Sequence, residues 1–530
     1  MSSRSWPAVF AAAAALCVSA SAQIEDSGLQ MVDPWGMGFL EAGEPALPAS
    51  MWRASSTETL LPMMREVRTQ GLTPAERTLM RRMALSPATA PQGDQSAALL
   101  AERARILFEL GEARPAANLM ARLEISPPGL DSDEIATDLN LALGNEAMAC
   151  AENTGALREG AYWAKLRAVC AALRDNTAGA ELAIEMASSQ GVNDSWLTSA
   201  VFAASGDLPN PPKAKYDSGI ALAISSKAGL APPDTPLSPT RPDLAAAMVA
   251  RPGLPAAKRA EAAAIAAEAG LIDMSAWRQV LDTLFEDLEF EPDSQIEIAI
   301  ATARNVGMPE DGRADAIAAA LQAAATSPAR FVAVSGILSQ ELASLSLTRD
   351  TAKHALLFAR ASLAAEDYEG MLLWTLVPTL DEAPDTRAFD FAYIHALAVL
   401  SGIGDAAQIG ETLVAEATGK DDRQAAARLF ALWTMTGITP PPSARALMAS
   451  DSEAPGKTTT PGAVLAILAN AEAGAAGEAI LATIALVNGD PSKRDAADLA
   501  LVGRALNAMG AKDAASALAL EATGYWQAAK

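Results

Sequence analysis

Histidine is nearly missing from this sequence: its 530 residues contain only His354 and His395. Cysteine is almost as scarce, at three residues. Ligands so few and so far apart leave little from which a metal site could be assembled, and no cofactor motif takes their place. Aromatic residues make up 5% of the chain, and the runs of strand formers that would read as a sheet are scarce. Beyond the first residues no apolar stretch reaches roughly eighteen in a row, so nothing there reads as a membrane-spanning helix. Positive charge is short as well, with 40 Lys and Arg against 64 Asp and Glu and a net charge of −24. Such a field repels a phosphate backbone, which disfavours nucleic acid and anionic lipid surfaces alike.

What the sequence does have is alanine. Half of it is hydrophobic, and the best helix former dominates that half. This composition predicts many thin, closely packed helices with few large side chains to anchor them.

The first residues read as a secretory signal. Arg4 supplies a positive charge, Ala8 to Val18 form an apolar run, and Ala20-Ser21-Ala22 makes a small-residue cleavage site before Gln23. The run is too short to span a bilayer, which takes roughly twenty residues. Cys17 follows Leu16 rather than the small residue that precedes a lipid-modified cysteine. The expectation is therefore cleavage between Ala22 and Gln23 and release into the periplasm. Two cysteines then remain, Cys150 and Cys170, and an even pair in an oxidising compartment predicts a disulfide; two separately buried thiols are the alternative. For a hairpin turning at Gly155, Cys150 lies five residues before the turn and Cys170 fifteen after it, a mismatch of about 15 Å at about 1.5 Å per residue. Pairing requires a later turn, with the second helix starting nearer Tyr162.

Residues 23–55 form an extended arm, broken at Asp33-Pro34-Trp35-Gly36 and Gly43-Glu44-Pro45. Trp35, Phe39, Leu40 and Trp52 are apolar enough to hold that arm along the helical body. From residue 56 a helix of ten to eighteen residues recurs, ended by a glycine and an apolar residue: Gly71-Leu72, Gly191-Val192, Gly229-Leu230, Gly270-Leu271, Gly307-Met308 and Gly437-Ile438. Glycine takes the left-handed conformation that stops a helix, and the apolar residue folds back on the last turn. Thr73-Pro74-Ala75-Glu76 then combines an N-cap, a first-turn proline and a capping-box glutamate. Asp194 before Trp196 and Asp273 before Trp277 are weaker starts. A second pattern places an alanine five residues after a hairpin glycine, as in Gly111/Ala116, Gly144/Ala149, Gly402/Ala407, Gly474/Ala479 and Gly510/Ala515. The small residue lets two helices approach closely.

Stacked hairpins of this kind make an all-α solenoid. Proline-rich stretches divide it into blocks at 56–205, 243–449 and 462–530, joined by connections at 206–242 and 450–461. The first connection brackets one short helix around Ile220. Through Leu107, Gly111, Ala116 and Leu119 the array resembles tetratricopeptide repeats in a degenerate form, without their strict period or their Trp-Leu-Gly-Tyr opening. Through Asp33-Pro34-Trp35-Gly36, Met51-Trp52-Arg53 and Tyr162 to Cys170 the chain is similar to alanine-rich secreted proteins of Gram-negative bacteria. That resemblance implies no activity.

No motif assembles a catalytic set. Gly456-Lys457-Thr458 lacks the earlier glycine of a phosphate loop, since Asp451 stands there, and reads as a flexible loop. Glu286, Asp287, Glu289, Glu291, Asp293 and Glu297 could hold calcium, but they lack the EF-hand spacing and fit a solvated helix end. Carboxylate pairs for glycoside cleavage have no Glu-Ser setting of the kind lytic enzymes use. His354 and His395 sit at helical core spacing, and no Gly-x-Ser-x-Gly elbow occurs. Trp163, Trp196, Trp277, Trp374, Trp433 and Trp526 read as local core anchors, an aromatic ladder on a concave face being the alternative.

The sequence therefore predicts a non-enzymatic scaffold or adaptor that binds a protein or peptide in the cell envelope. Two rivals stay open: a self-assembling structural or secretion component, and a hydrolase built from scattered carboxylates. Two buried carboxylates with raised pKa in a deep pocket would favour the hydrolase.

Overall fold

Alanine-rich segments stopped by left-handed residues fold into helices, and among the described residues there are twenty-six of them and no strand. The computed structural model describes residues 33–155, 158–206, 208–377, 387–451 and 460–527. The signal at 1–22, the Ala22–Gln23 junction, the start of the arm at 23–32 and Gly456-Lys457-Thr458 lie outside the described residues.

A short 3₁₀ turn, Pro34–Gly36, precedes α1 (Thr57–Glu66), α2 (Pro74–Leu85), α3 (Ser96–Glu109), α4 (Ala113–Met120) and α5 (Ser132–Ala142). Next come α6 (Glu146–Gly155), α7 (Ala161–Leu173), α8 (Thr177–Ser189), α9 (Ser195–Ala204) and α10 (Gly219–Lys227). The middle holds α11 (Pro242–Ala250), α12 (Ala256–Glu268), α13 (Met274–Phe285), α14 (Gln295–Arg304), α15 (Glu310–Ala324), α16 (Pro328–Ala343), α17 (Ala355–Ala364) and α18 (Tyr368–Trp374). The last are α19 (Ala388–Leu400), α20 (Ala406–Glu416), α21 (Lys420–Met435), α22 (Pro442–Ser450), α23 (Pro461–Glu472), α24 (Ala476–Val487), α25 (Ala496–Ala508) and α26 (Lys512–Ala522). Neighbours pack in pairs, such as α3 with α4, α14 with α15 and α17 with α18, in the manner of an α-solenoid.

The stops follow the predicted chemistry. After Gly191 the Val192 amide donates to Ala187 O at 2.9 Å, and after Gly270 the Leu271 amide donates to Ala266 O at 2.9 Å. These are the six-to-one bonds of a Schellman cap. Thr73 and Glu76 close the capping box of α2, and Asp194 caps α9.

Three expectations differ from the structure. Gly71 does not end α1, which stops at Glu66; residues 67–73 instead serve a long-range contact through Arg68. Gly307 has no left-handed φ, because the Asn305 side chain accepts from the Gly307 amide at 2.9 Å and makes the turn. Ala407 is exposed, since a second glycine, Gly404, lengthens the hairpin turn and brings Gly410 against Pro441 and Trp433.

The stack also closes on itself. Helices α1 and α2 pack against α24, and α2 packs against α26, which in turn touches α19, α21 and α25. Trp52 fills the space over Gly477, where a Cβ would meet its ring at 1.9 Å. Arg68 donates to Asn488 O at 3.0 Å, and the Gly489 amide donates to Glu76 at 3.0 Å. The Ala75 amide donates to Glu521 at 2.8 Å. Buried Arg103 ties the segment before α1 to the end of α2, donating to Met37 O at 2.8 Å and to Ala84 O and Ser86 O at 2.8 and 2.9 Å, and burial pulls its guanidinium down to about 10. A continuous core runs through this body, whereas α6 to α10 form a lobe around a second, smaller core.

Candidate functional site

The predicted site residues are scattered. Cys150 of α6 and Cys170 of α7 are joined by a disulfide inside the lobe, with Cα atoms 5.6 Å apart. Helix α7 starts at Ala161, late enough to bring the two level. His354 enters α17 with Nε2 2.6 Å from Asp315, while His395 is half-buried in α19, where burial lowers its pKa. Among the described residues no group of three or more His, Cys, Asp or Glu gathers as a metal site. Of the acids near α14, Glu297 closes a capping box with Ser294. Trp163, Trp277, Trp374, Trp433 and Trp526 are buried anchors; Trp196 is not.

Two buried carboxylates with raised pKa do exist. Glu521 is pushed up to about 8, chiefly by burial, which outweighs hydrogen bonds from Thr73 and the Ala75 amide. Burial also raises Glu76. Both are spent on backbone amides in the seam between α2, α24 and α26, and neither lines any of the clefts described below.

The cleft that stands out lies where the lobe meets the body. It measures about 590 Å³ and is walled by Trp196 of α9, the chain before α10 (Lys213, Lys215, Tyr216, Asp217) and the chain before α11. Leu237, Leu244 and Met248 give it an apolar floor. Its position depends on α10. The buried Asp138 of α5 accepts the Gly219 and Ile220 amides at 2.8 and 3.1 Å, at the positive end of that helix. A Cβ on Gly219 would lie 1.8 Å from Asp138 O, so only glycine permits this approach. On either side of α10 the chain is extended and proline-rich, and the two stretches are clasped by the Ala214 amide donating to Ala231 O at 2.9 Å.

The charge of the cleft is inverted relative to the chain. Three cations, Lys213, Lys215 and Arg241, line it with one acid, Asp217, whereas acids outnumber cations 64 to 40 overall. Arg241 is committed to Asp243 by bonds of 2.9 and 2.7 Å and lies over the Phe108 ring at 5.0 Å. Lys215 lies over the Trp196 ring at 4.9 Å, and no described carboxylate is within ion-pair distance of it. Lys213 meets only the outward-facing Asp234, at 3.5 Å. A second cleft of about 610 Å³ shares Asp234 and Pro236 and is lined by Glu261, Glu291, Asp293 and Glu297 with Lys258 and Arg330.

Trp196, which its helical setting predicts as a core anchor, instead walls the cleft, and Lys213, Lys215, Tyr216 and Arg241 belong to no motif in the sequence. A signal was present. Residues 206–242 carry four cations (Lys213, Lys215, Lys227, Arg241) against three acids (Asp207, Asp217, Asp234), a local excess in a strongly acidic chain. Searches against protein-family models, curated proteins and solved structures return no match to this chain.

Proposed function

We propose that this chain is a scaffold or adaptor of the cell envelope, exported by its N-terminal signal, which holds a protein partner at the cleft between lobe and body. The cleft carries the reading. It is of a size that takes ligand groups, it is apolar at the floor and cationic at the rim, and its described lining includes no histidine, cysteine or glutamate. That chemistry suits recognition better than proton transfer. The paired helices, degenerate and tetratricopeptide-like, supply a rigid frame for it. The hydrolase alternative draws less support, because its best-placed carboxylates, Glu76 and Glu521, are tied into the seam.

Self-assembly is a second reading with one observation in its favour. Helix α8 buries only Ala180 and Ala187 and leaves Leu182 and Met186 at 58% and 47% exposure. Crosslinking in intact envelopes followed by affinity purification separates the two. A discrete protein partner supports the adaptor; recovery of this chain alone supports assembly; recovery of neither removes both.

A further inference from the structure

Resting on that adaptor reading, we propose that the cleft between α9, α10 and α11 takes an extended, acidic peptide segment carrying an apolar anchor. Charge comes first. A net charge of −24 repels anions at long range, so a cationic groove is useful only for a ligand with a few charges delivered at contact. A nucleic-acid strand would bring one charge per nucleotide and meet the surrounding acids, while a short acidic segment places two or three carboxylates at Lys213 and Lys215 and stops there. Both lysines are available to it. Lys215 is held over Trp196 in the field of Asp194, whose carboxylate is already bonded to Lys165 at 2.8 Å, and the Lys213–Asp234 pair is solvent-facing and exchanged at little cost. Arg241 is already satisfied by Asp243 and sets the shape of the wall rather than its affinity.

The apolar lining adds the second requirement. Half-buried Leu237 shares the cleft with the lysines and with the buried Leu244 and Met248, so an apolar side chain next to a carboxylate is buried as the charges pair. A glycan fits less well. It needs an open aromatic face, and the Trp196 ring is covered by Lys215. The walls contribute preorganisation. Pro233 and Pro236 stiffen one side, the Trp196 indole donates to Lys213 O at 2.9 Å, and Lys258 donates to Thr235 O at 3.2 Å, so little ordering remains when a ligand arrives.

The test uses the full chain and a short labelled peptide alternating Glu and Leu, read by fluorescence anisotropy, with a Lys–Leu counterpart as control. The acidic peptide binds and the basic one does not. Binding weakens about tenfold or more when Lys213→Glu and Lys215→Glu are combined, and falls again between about 0.05 and 0.5 M salt. Trp196→Ala weakens it too, and an unchanged melting curve for each variant shows that the fold survives. Equal binding of both peptides, indifference to the double reversal, or displacement of the acidic peptide by a neutral oligosaccharide or single-stranded nucleic acid overturns the assignment. The two readings fail separately. A crosslinked envelope partner that is retained by the double variant leaves the adaptor standing and removes the cleft. An acidic peptide that binds in vitro, with no partner in the envelope, does the reverse.

Discussion

In the body, helices from opposite ends of the chain meet: Trp52 seats on Gly477, Arg68 reaches Asn488, and Glu76 and Glu521 accept amides across the same seam. The lobe is tied over shorter spans, by Asp138 accepting the Gly219 and Ile220 amides and by Arg251 paired with Glu146. Its core is small, α8 buries two alanines, and a disulfide spanning twenty residues joins α6 to α7. Both regions are made of the same alanine-rich helices. What separates them is how they compensate for small side chains. The body does so by closure, burying tryptophans and amide-bonded carboxylates between distant segments, while the lobe uses a covalent crosslink and leaves one face thinly covered. A region with few buried contacts opens more readily, and the cleft lies where the two regimes meet.

Breaking the seam is expected to have the largest effect. Trp52→Ala removes a fully buried indole and should cost about 3–5 kcal/mol in equilibrium urea unfolding. Protection from hydrogen exchange should fall in both α1–α3 and α24–α26, because the cost is shared across the chain. Protection lost only near residue 52 would mean that closure is incidental.

Reduction of Cys150–Cys170 should cost about 3 kcal/mol and act on the lobe alone. Faster exchange across α6–α10 with the body unchanged is the expected pattern. A body that loosens equally would contradict the division into two regimes.

The seam should also respond to pH. The folded-state pKa of Glu521 is raised from 4.5 to about 8, so the folded state holds a proton that the unfolded chain releases. Its contribution is complete below pH 4.5 and is lost as pH rises through 8. Glu76 is shifted in the same direction, while His395, lowered by burial, acts the opposite way at acid pH. Between pH 5.5 and 8 the melting temperature should fall by several degrees, a change of a few kcal/mol, and Glu521→Gln should flatten the slope. A slope unchanged in that variant would assign the effect to other groups.

The smallest stability effect belongs to the cleft. Lys213→Glu and Lys215→Glu should each change stability by less than about 0.5 kcal/mol, since neither side chain supports the core. A large loss would make these lysines structural and remove them from recognition.

Much of the local structure was legible in the sequence, and the reason is physical. A left-handed stop is set by one residue and its neighbours, so Gly111, Gly437 and Gly510 could be read one at a time. The same rule misses Asp175 and Glu366, which adopt φ of 58° and 59° without being glycine. It also misassigns Gly71, whose surroundings are governed by Asn488, far along the chain. Closure itself left no local trace, because Arg68 with Asn488 and Ala75 with Glu521 pair across more than four hundred residues. The cleft was half legible. Its prolines marked a break between blocks, yet the cation excess in the same stretch becomes a site only when Asp138 pins α10 and folds both flanks toward Trp196.

The most direct test places a photoreactive benzophenone residue at Ser238, on the rim of the cleft, and in a second strain at the fully exposed Leu288. Illumination of intact cells should give one discrete protein adduct from position 238 and none from position 288. No adduct at 238, or the same adducts from both positions, would contradict recognition at the junction of lobe and body.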